Sequence, residues 1–387
     1  MKVMRTATKE RIVALDILRG FSLLGIMIAN MLIFHTPYLY IDPYSYFTNA
    51  GDQTTFKWIT IFVQGSFYPI FAFLFGYGLN MQYEKAVQIG KPYMPLMAKR
   101  LSLLLGFGVL HALLLWSGDI LFTYAVIGFA MMLLLKLSAR WLLSLAIFLY
   151  FIPTIGLYVL TKLIESLGSF SLESLTEQSQ IAEAVNIYGS GSFMDIFVFR
   201  AKEWLIFGVV NTFLVGFIIL GIMLFGAACS KWKLIERAAD HKLALFISGV
   251  FLTAIGLLIK SWPFIAEPTY SNIQLQTTLG GGVLAAGYIG LFLFMTTNQR
   301  IATFLQPLAN AGRMSFTIYI MQTVIATTLF YGYGFGLYGT IDLWTGTVIG
   351  VGIYIAQLLF AYIWFKKFSQ GPLEALWRIG IYGVKNN

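Results

Sequence analysis

The sequence predicts an all-helical bundle that crosses a membrane about ten times. Hydrophobic residues make up 58% of the 387-residue chain and charged residues only 11%. A soluble domain of this size cannot place so much apolar surface inside. Apolar runs of about 20 residues, long enough to cross a bilayer, recur near 13–34, 58–82, 101–118, 120–137, 141–163, 204–228, 243–261, 278–297, 314–333 and 344–365.

The basic residues predict how these spans are oriented. If the N-terminus is cytoplasmic, 20 of the 26 lysines and arginines fall in the inner segments, as the positive-inside rule requires. Ten spans then place both termini in the cytoplasm. The net charge of +9 is explained by this orientation, so a nucleic-acid partner is not needed. The expected surrounding of the chain is the lipid bilayer.

The chain reads as one integral membrane domain. Five spans lie in 1–163, an outer segment in 164–203, five more spans in 204–365 and a cytoplasmic tail helix in 366–387. The basic N-terminus followed by an apolar run resembles a signal peptide. Asp16 and Arg19 interrupt that run and no small-residue cleavage motif follows, so a retained first helix is expected.

The outer segment 164–203 carries acidic residues with apolar residues interleaved at helical spacing. It is expected to form amphipathic helices on the outer surface. Two interpretations stay open, a plain solvated face or a lid over an acceptor site. In the tail, Pro372 and Glu374 stand at a helix start, and Trp377 and Arg378 suit an interfacial position.

The first helix carries a carboxylate and a guanidinium three residues apart, Asp16 and Arg19, on one face. Ionisable groups near bilayer depth cost about 2.5–3.5 kcal/mol each on insertion scales. One interpretation is that the two simply pair at the inner interface. The other is that Arg19, oriented by Asp16, holds an anionic head group that enters from the cytoplasm.

Four polar residues toward the outer half are candidates for catalysis. Asn30 lies about 21 Å along the helix from Asp16 at 1.5 Å per residue. Its amide either bonds a neighbouring helix or polarises a substrate. His35 at the outer end of the first span and His111 near mid-membrane are each a buried neutral histidine or a general base. Asp119 either caps the following helix or orients a base.

The remaining candidates lie in the ninth span. Arg313 precedes a helix on the cytoplasmic side, where backbone N–H groups and a guanidinium favour a phosphate; it is otherwise one more inner arginine. Tyr319 and Gln322, three residues apart, are expected to point into the bundle. One cysteine and three histidines argue against a disulfide framework and a metal site, so no metal is expected.

The chain resembles the YeiB-like bacterial membrane proteins. The matching motifs run in order across nearly its whole length, which implies a multi-pass protein of the bacterial cytoplasmic (inner) membrane. They are Leu15-Asp16-Ile-Leu-Arg19-Gly20 with Asn30, Phe73-Leu-Phe-Gly76-Tyr-Gly78, Gly118-Asp119-Ile-Leu-Phe-Thr-Tyr124, Gly312-Arg313-Met-Ser-Phe-Thr-Ile-Tyr319-Ile-Met-Gln322 and Gly371-Pro-Leu-Glu374-Ala-Leu-Trp377-Arg378.

The opening helix is also similar to two groups of transmembrane acyltransferases, the heparan glucosaminide N-acetyltransferase type and the bacterial acyltransferase-three type. Both move an acyl group from cytoplasmic acyl-coenzyme A to an acceptor across the membrane. The acyltransferase-three motif has its catalytic histidine where this chain has Asn30. That departure matches the heparan type, whose catalytic histidine lies further on in the outer loop. Here His35 is the histidine in that loop.

The resemblance implies a transmembrane acyltransferase whose donor is acyl-coenzyme A, in particular acetyl-coenzyme A. Arg19, Arg313 and Arg100 are expected to meet its phosphates. His35 or His111 would be the base, and Asn30 or Tyr319 the donor to the oxyanion. The acceptor would be a small molecule or a glycan at the outer side, and the resemblance makes a homodimer plausible. A transporter or exporter, and a structural or sensory protein, are the competing classes.

Overall fold

The computed structural model describes residues 12–168, 172 and 176–383, and these form helices without a strand. The basic residues Lys2, Arg5, Lys9, Arg11 and Lys385, and the acidic Glu173, lie outside the described residues. The helices of the first half are α1 (Val13–Phe34), α2 (Pro43–Tyr46), α3 (Ala50–Phe62), α4 (Phe67–Gln88), α5 (Tyr93–Leu114), α6 (Leu121–Leu134), α7 (Ala139–Ser166) and α8 (Gln178–Ser190).

In the second half, two π-helical turns, Trp204–Val209 and Gln276–Gly280, interrupt longer helices. Short 3₁₀ turns occur at Tyr38–Tyr40 in the first half of the chain and at Ala238–His241 in the second half. The remaining helices are α9 (Phe193–Glu203), α10 (Val210–Lys231), α11 (Lys242–Ile265), α12 (Tyr270–Leu275), α13 (Gly281–Thr296), α14 (Gln299–Phe304), α15 (Gln306–Arg313), α16 (Ser315–Phe330), α17 (Leu343–Trp364) and α18 (Pro372–Tyr382).

The all-helical, multi-pass prediction is confirmed. Among the described residues, eight helical segments are long and apolar enough to cross a membrane. Two shorter apolar helices, α6 and α16, stand where the fourth and ninth spans were predicted. Each of the ten predicted segments is therefore helical, while the count of ten crossings and the inner position of the termini stay predictions.

The second predicted span, 58–82, differs from a single helix. Helix α3 ends at Phe62 and α4 begins at Phe67, so a non-helical turn interrupts the segment inside the bundle. Gly65 in this turn has φ of 76°, a conformation that favours glycine. Sequence hydropathy does not detect such a break, because the residues on both sides of it are apolar.

Close approach of backbones fixes α1 against α15. A Cβ added at Gly20 would stand 2.0 Å from the carbonyl oxygen of Leu308, and one at Gly312 only 1.9 Å from that of Asp16. The two helices meet face to face at reciprocal glycines, so no side chain fits between them. This contact fixes the inner end of α1, where the charged pair lies.

The outer segment is helical where it is described, as predicted. Helix α8 buries Ala184 and Tyr188, and α9 buries Arg200 and Glu203. Ser192 and Asp195 form a capping box that starts α9. The tail helix is α18, and residues 384–387 of the predicted tail lie outside the described part.

Candidate functional site

Near the N-terminal end of α1, Asp16 and Arg19 form an ion pair of 3.2 Å. The Asp16 side chain is buried, whereas that of Arg19 is 30% exposed. The pair therefore lies on one helix face, and the guanidinium keeps an accessible side. An arginine held by a carboxylate in this way can still present N–H donors to an incoming anion.

At the C-terminal end of α1, the His35 ring is fully buried, and neither ring nitrogen has a hydrogen-bond partner among the described residues. Its Nε2 faces Gly346 of α17, where a Cβ would come within 2.1 Å. Burial lowers the pKa of His35 from 6.5 to about 4, with Asp52 and Asp342 opposing the shift. The ring is thus neutral at pH 7 and has no carboxylate in contact.

Asn30 is half-buried, and no hydrogen bond of its amide is present among the described residues. It lies four residues before Phe34, on the α1 face that packs against Trp116 at a ring distance of 4.3 Å. Trp116 follows α5, the helix that carries His111. Asn30 therefore shares a face of α1 with a residue that packs beside the end of α5.

His111 is the centre of a polar array. Its Nδ1 lies 2.9 Å from Oδ1 of Asp119, and its Nε2 lies 3.0 Å from the hydroxyl of Thr323 on α16. The side chains of His111 and Asp119 are 1% and 0% exposed. The carboxylate is close to Nδ1 but off the line of an ideal hydrogen bond. The order is hydroxyl, imidazole, carboxylate, as in hydrolytic triads.

Asp119 has two roles in this position. Its Oδ2 accepts a hydrogen bond of 2.6 Å from the backbone N–H of Phe122, in the first turn of α6. Its Oδ1 faces His111. The capping interpretation and the base-orienting interpretation of the sequence are therefore compatible, because each uses a different carboxylate oxygen.

Tyr319 lies beside the array, and its ring centroid is 5.1 Å from that of His111. Gln322 points into the bundle as predicted but is engaged elsewhere. Its amide donates to the Leu23 carbonyl at 3.2 Å and to Oε1 of Gln357 at 3.3 Å, so it joins α1, α16 and α17. Gln322 therefore has a packing role in the core. Its Oε1 is buried and has no hydrogen-bond partner among the described residues.

The N-terminus of α16 is already occupied. Glu374 of α18 accepts hydrogen bonds from the backbone N–H of Phe316 at 2.9 Å and of Thr317 at 3.2 Å. Arg313 ends α15, and its guanidinium stacks 3.9 Å above the Phe365 ring. The backbone donors expected to favour a phosphate are thus satisfied by a carboxylate of the same chain, and the Arg313 guanidinium itself also donates to the Ser369 carbonyl at 3.4 Å.

Arg100 lies on α5 and neighbours Tyr382, Tyr93 and Arg378. Helix α18 contacts both α5, which carries Arg100, and α16, which follows Arg313. The structure therefore brings His111, Asp119 and Tyr319 together, and the Gly20–Gly312 contact brings the backbone next to Arg19 close to the backbone next to Arg313.

Two groups of residues were missed from the sequence. Thr323 has no distinguishing pattern, since threonines are common in apolar helices. The second group surrounds Glu203, whose carboxylate accepts hydroxyl hydrogen bonds from Tyr40 at 2.9 Å, Ser117 at 3.0 Å and Tyr188 at 2.5 Å. A buried glutamate near the start of a long apolar run was the available signal.

Comparison with known proteins gives consistent results over the whole chain. The family model described as "protein of unknown function (DUF418)" matches residues 229–384. The uncharacterized protein YxaH of Bacillus subtilis is 32% identical over 97% of this chain and 96% of its own length. The uncharacterized protein YeiB of Escherichia coli is 30% identical over 95% and 96%, respectively. An uncharacterized 39.9 kDa protein of Bacillus acidopullulyticus is 28% identical over 98% and 96%.

Proposed function

Because this chain belongs to the YeiB-like family of bacterial multi-pass membrane proteins, we propose an activity that suits a buried site between helices. The proposed activity is transfer of an acyl group, in the first instance acetyl, from cytoplasmic acyl-coenzyme A to an acceptor at the outer side of the bacterial cytoplasmic membrane. The observation that carries the proposal is the buried Thr323–His111–Asp119 array.

In this proposal His111 is the general base. An acceptor hydroxyl or amine takes the place of the Thr323 hydroxyl at Nε2 and gives its proton to the ring as its heteroatom attacks the thioester carbonyl. The carbon–sulfur bond breaks, and His111 returns the proton to the departing thiolate. Asp119 stabilises the imidazolium between these steps. His35 has no carboxylate in contact, so His111 is preferred over it.

The developing oxyanion needs a donor close to the base. The ring of Tyr319, 5.1 Å from that of His111, places a phenol beside the array. Asn30, whose amide has no hydrogen bond, is the second candidate on the facing helix α1. On the inner side, Arg19 offers an exposed guanidinium to the donor phosphates, with Asp16 holding it in place. Arg313 and Arg100 would contribute as side chains only.

The first test is binding of the donor. We expect acetyl-coenzyme A to raise the thermal midpoint of the detergent-purified full chain, and Arg19→Gln to weaken that effect. Arg237→Gln is the matched control, because Arg237 is an exposed arginine paired with Asp240. If millimolar coenzyme A thioesters neither bind nor stabilise the protein, the acyltransferase proposal fails.

The second candidate function is transport, and a specific contact favours it. The turn between α3 and α4 touches the π-helical turn of the α12–α13 segment, since a Cβ at Gly65 would lie 2.5 Å from the Thr277 carbonyl oxygen. Fully buried Lys260 donates a hydrogen bond to the Gln64 carbonyl in the same turn. Interrupted helices with exposed carbonyls at membrane depth are typical of transporter binding sites.

The two functions predict different phenotypes for the same variants. Under the transport interpretation, Lys260→Met abolishes substrate flux while His111→Gln leaves flux unchanged. Under acyl transfer, His111→Gln abolishes thiol release from acetyl-coenzyme A, and Lys260→Met retains that reaction in whatever fraction folds. The measurement is thiol release alongside flux in proteoliposomes.

A further inference from the structure

Arg200 of α9 is fully buried, and within the described part of the chain none of its three guanidinium nitrogens has a hydrogen-bond partner. No acidic side chain of the described residues lies within 4.0 Å of it. A buried charge without a direct partner is strongly unfavourable. The guanidinium carbon instead lies 6.0 Å from the ring centroid of Tyr331, a position that offers weak cation–π attraction only.

Glu203 is the nearest buried carboxylate along α9, three residues further on. Its two oxygens already accept hydrogen bonds from the hydroxyls of Tyr40, Ser117 and Tyr188. These donors stabilise the carboxylate where it stands and leave Arg200 beyond ion-pair distance. The Glu203 carboxylate therefore has its hydrogen bonds satisfied, whereas the Arg200 guanidinium has none among the described residues. This arrangement is expected of a guanidinium that binds an anion.

A polar stripe on α16 leads from this guanidinium to the catalytic array. Tyr319, Thr323 and Thr327 recur every four residues on one face of α16, and Tyr331 follows directly after the helix ends at Phe330; all four are buried. The Thr323 hydroxyl meets His111, and the Tyr331 ring centroid lies 6.0 Å from the Arg200 guanidinium. The proposed base and the buried guanidinium thus lie near the two ends of one polar strip.

Helix α8 closes this region from the outer side. The Tyr188 ring lies 4.5 Å from that of Tyr331 and 5.0 Å from that of Tyr338, and its carbonyl accepts a hydrogen bond of 2.7 Å from the N–H of Gly332. A small cavity next to Arg200's neighbours Tyr331 and Glu203, also lined by Tyr188, measures about 10 Å³, room for one water. Arg200 itself is fully buried and does not line this cavity, so an occupant larger than water requires the packing around Arg200, which includes α8, to move.

We infer that Arg200 binds an anionic group, a carboxylate or a phosphate, of the acceptor. The acceptor then reaches from that group along the polar strip to place its reacting hydroxyl or amine at His111, and α8 covers it during transfer. This inference rests on the proposed acyl transfer for the identity of the ligand as acceptor. The anion site itself does not depend on that chemistry. A guanidinium suits such a group because it can donate two parallel hydrogen bonds.

The test uses the full chain in phosphatidylcholine nanodiscs with inorganic phosphate as the probe. At matched ionic strength, phosphate is expected to raise the thermal midpoint of the wild type saturably by several degrees. Arg200→Gln should lose this shift, Arg200→Lys should show at least a tenfold weaker dissociation constant, and the exposed-arginine control Arg237→Gln should behave as wild type. Equal phosphate curves for wild type and Arg200→Gln overturn the inference. If Arg200→Gln does not fold, the Arg200→Lys comparison decides.

Glu203→Gln separates an anion site from a structural Arg200–Glu203 couple. The amide oxygen can still accept from the hydroxyls of Ser117 and Tyr188, and the amide NH2 can donate to the Tyr40 hydroxyl, while the negative charge is removed. If Arg200 is an anion site, Glu203→Gln binds phosphate more tightly than the wild type. If Arg200 and Glu203 only stabilise the fold, Glu203→Gln loses stability and gains no phosphate affinity, and this result overturns the inference. Nanodiscs containing phosphatidylglycerol distinguish the source. A shift there without added phosphate assigns the anion to a lipid headgroup, and its absence assigns it to a soluble acceptor.

The anion site and the proposed activity fail separately. Phosphate binding that persists with saturating coenzyme A supports an outer site distinct from the donor site. Loss of phosphate binding on saturation places Arg200 at the donor site and overturns the assignment to the acceptor. Absence of acetyl-coenzyme A binding with an intact, Arg200-dependent phosphate shift removes acyl transfer and leaves the anion site standing.

Discussion

At the scale of single residues, the sequence identified the polar groups but not their partners. His111 and Asp119 are eight residues apart, and a helix end followed by a turn brings them to 2.9 Å. Thr323 comes from 212 residues further along the chain. A single sequence carries no signal for that encounter, because the contact depends on how α5 packs against α16.

Asp119→Asn tests the array without removing the helix cap. The asparagine oxygen can still accept the Phe122 N–H, whereas the charge that stabilises the imidazolium is lost. We expect thiol release from acetyl-coenzyme A to fall by about 10²–10⁴-fold, the usual contribution of general base catalysis, with the thermal midpoint nearly unchanged. Activity at the wild-type level in both Asp119→Asn and His111→Gln would remove the array from the mechanism.

His35 predicts an acid sensitivity of stability. Its pKa is lowered to about 4 by burial against 6.5 in the unfolded chain, so the unfolded state binds the proton more tightly. Its contribution to stability is complete above pH 6.5 and is lost as pH falls toward 4, by about 3 kcal/mol in total. The thermal midpoint of wild type should drop more between pH 7.5 and 5 than that of His35→Gln. Equal drops would contradict the assignment.

At the scale of helices, hydropathy located the spans and missed their interruptions. The break between α3 and α4 and the two π-helical turns leave the apolar pattern intact, so only the backbone path exposes them. The predicted spans 120–137 and 314–333 are longer than α6 and α16, because the apolar pattern continues past the ends of these helices. The helix cap considered at Asp119 was accessible from sequence, since its side chain accepts the Phe122 backbone N–H at the start of α6.

The glycine contact between α1 and α15 predicts a contrast between glycines. Gly312→Ala places a methyl group against the Asp16 carbonyl, and overpacking of this kind costs about 1–3 kcal/mol. Gly106→Ala in α5 and Gly352→Ala in α17 are the controls, because nothing lies within 4 Å of either Cβ. Thermal unfolding in detergent should show a lowered midpoint for Gly312→Ala alone. A shift of similar size in the controls would point to glycine flexibility instead.

At the scale of the whole molecule, basic residues predict the direction of insertion, and this can be measured. Cys229 is buried, so single added cysteines report their own side of the membrane. In intact cells, Glu267→Cys between α11 and α12 should react with an impermeant maleimide. Arg300→Cys after α13 should react only after permeabilisation. Both residues are exposed, so access of the reagent alone does not separate them. The reverse pattern would invert the proposed topology and place the His111 array toward the inner face.

The sequence by itself determined the all-helical membrane bundle, its approximate spans, the family and the polar residues available for chemistry. These properties follow from composition, from run length and from local motifs, all of which are written along the chain. Only the tertiary structure decided that His111 rather than His35 meets a carboxylate, that Glu374 fills the helix end beside Arg313, and that Arg200 lies buried without a partner. Each of these depends on residues distant in sequence, and packing between helices brings them together.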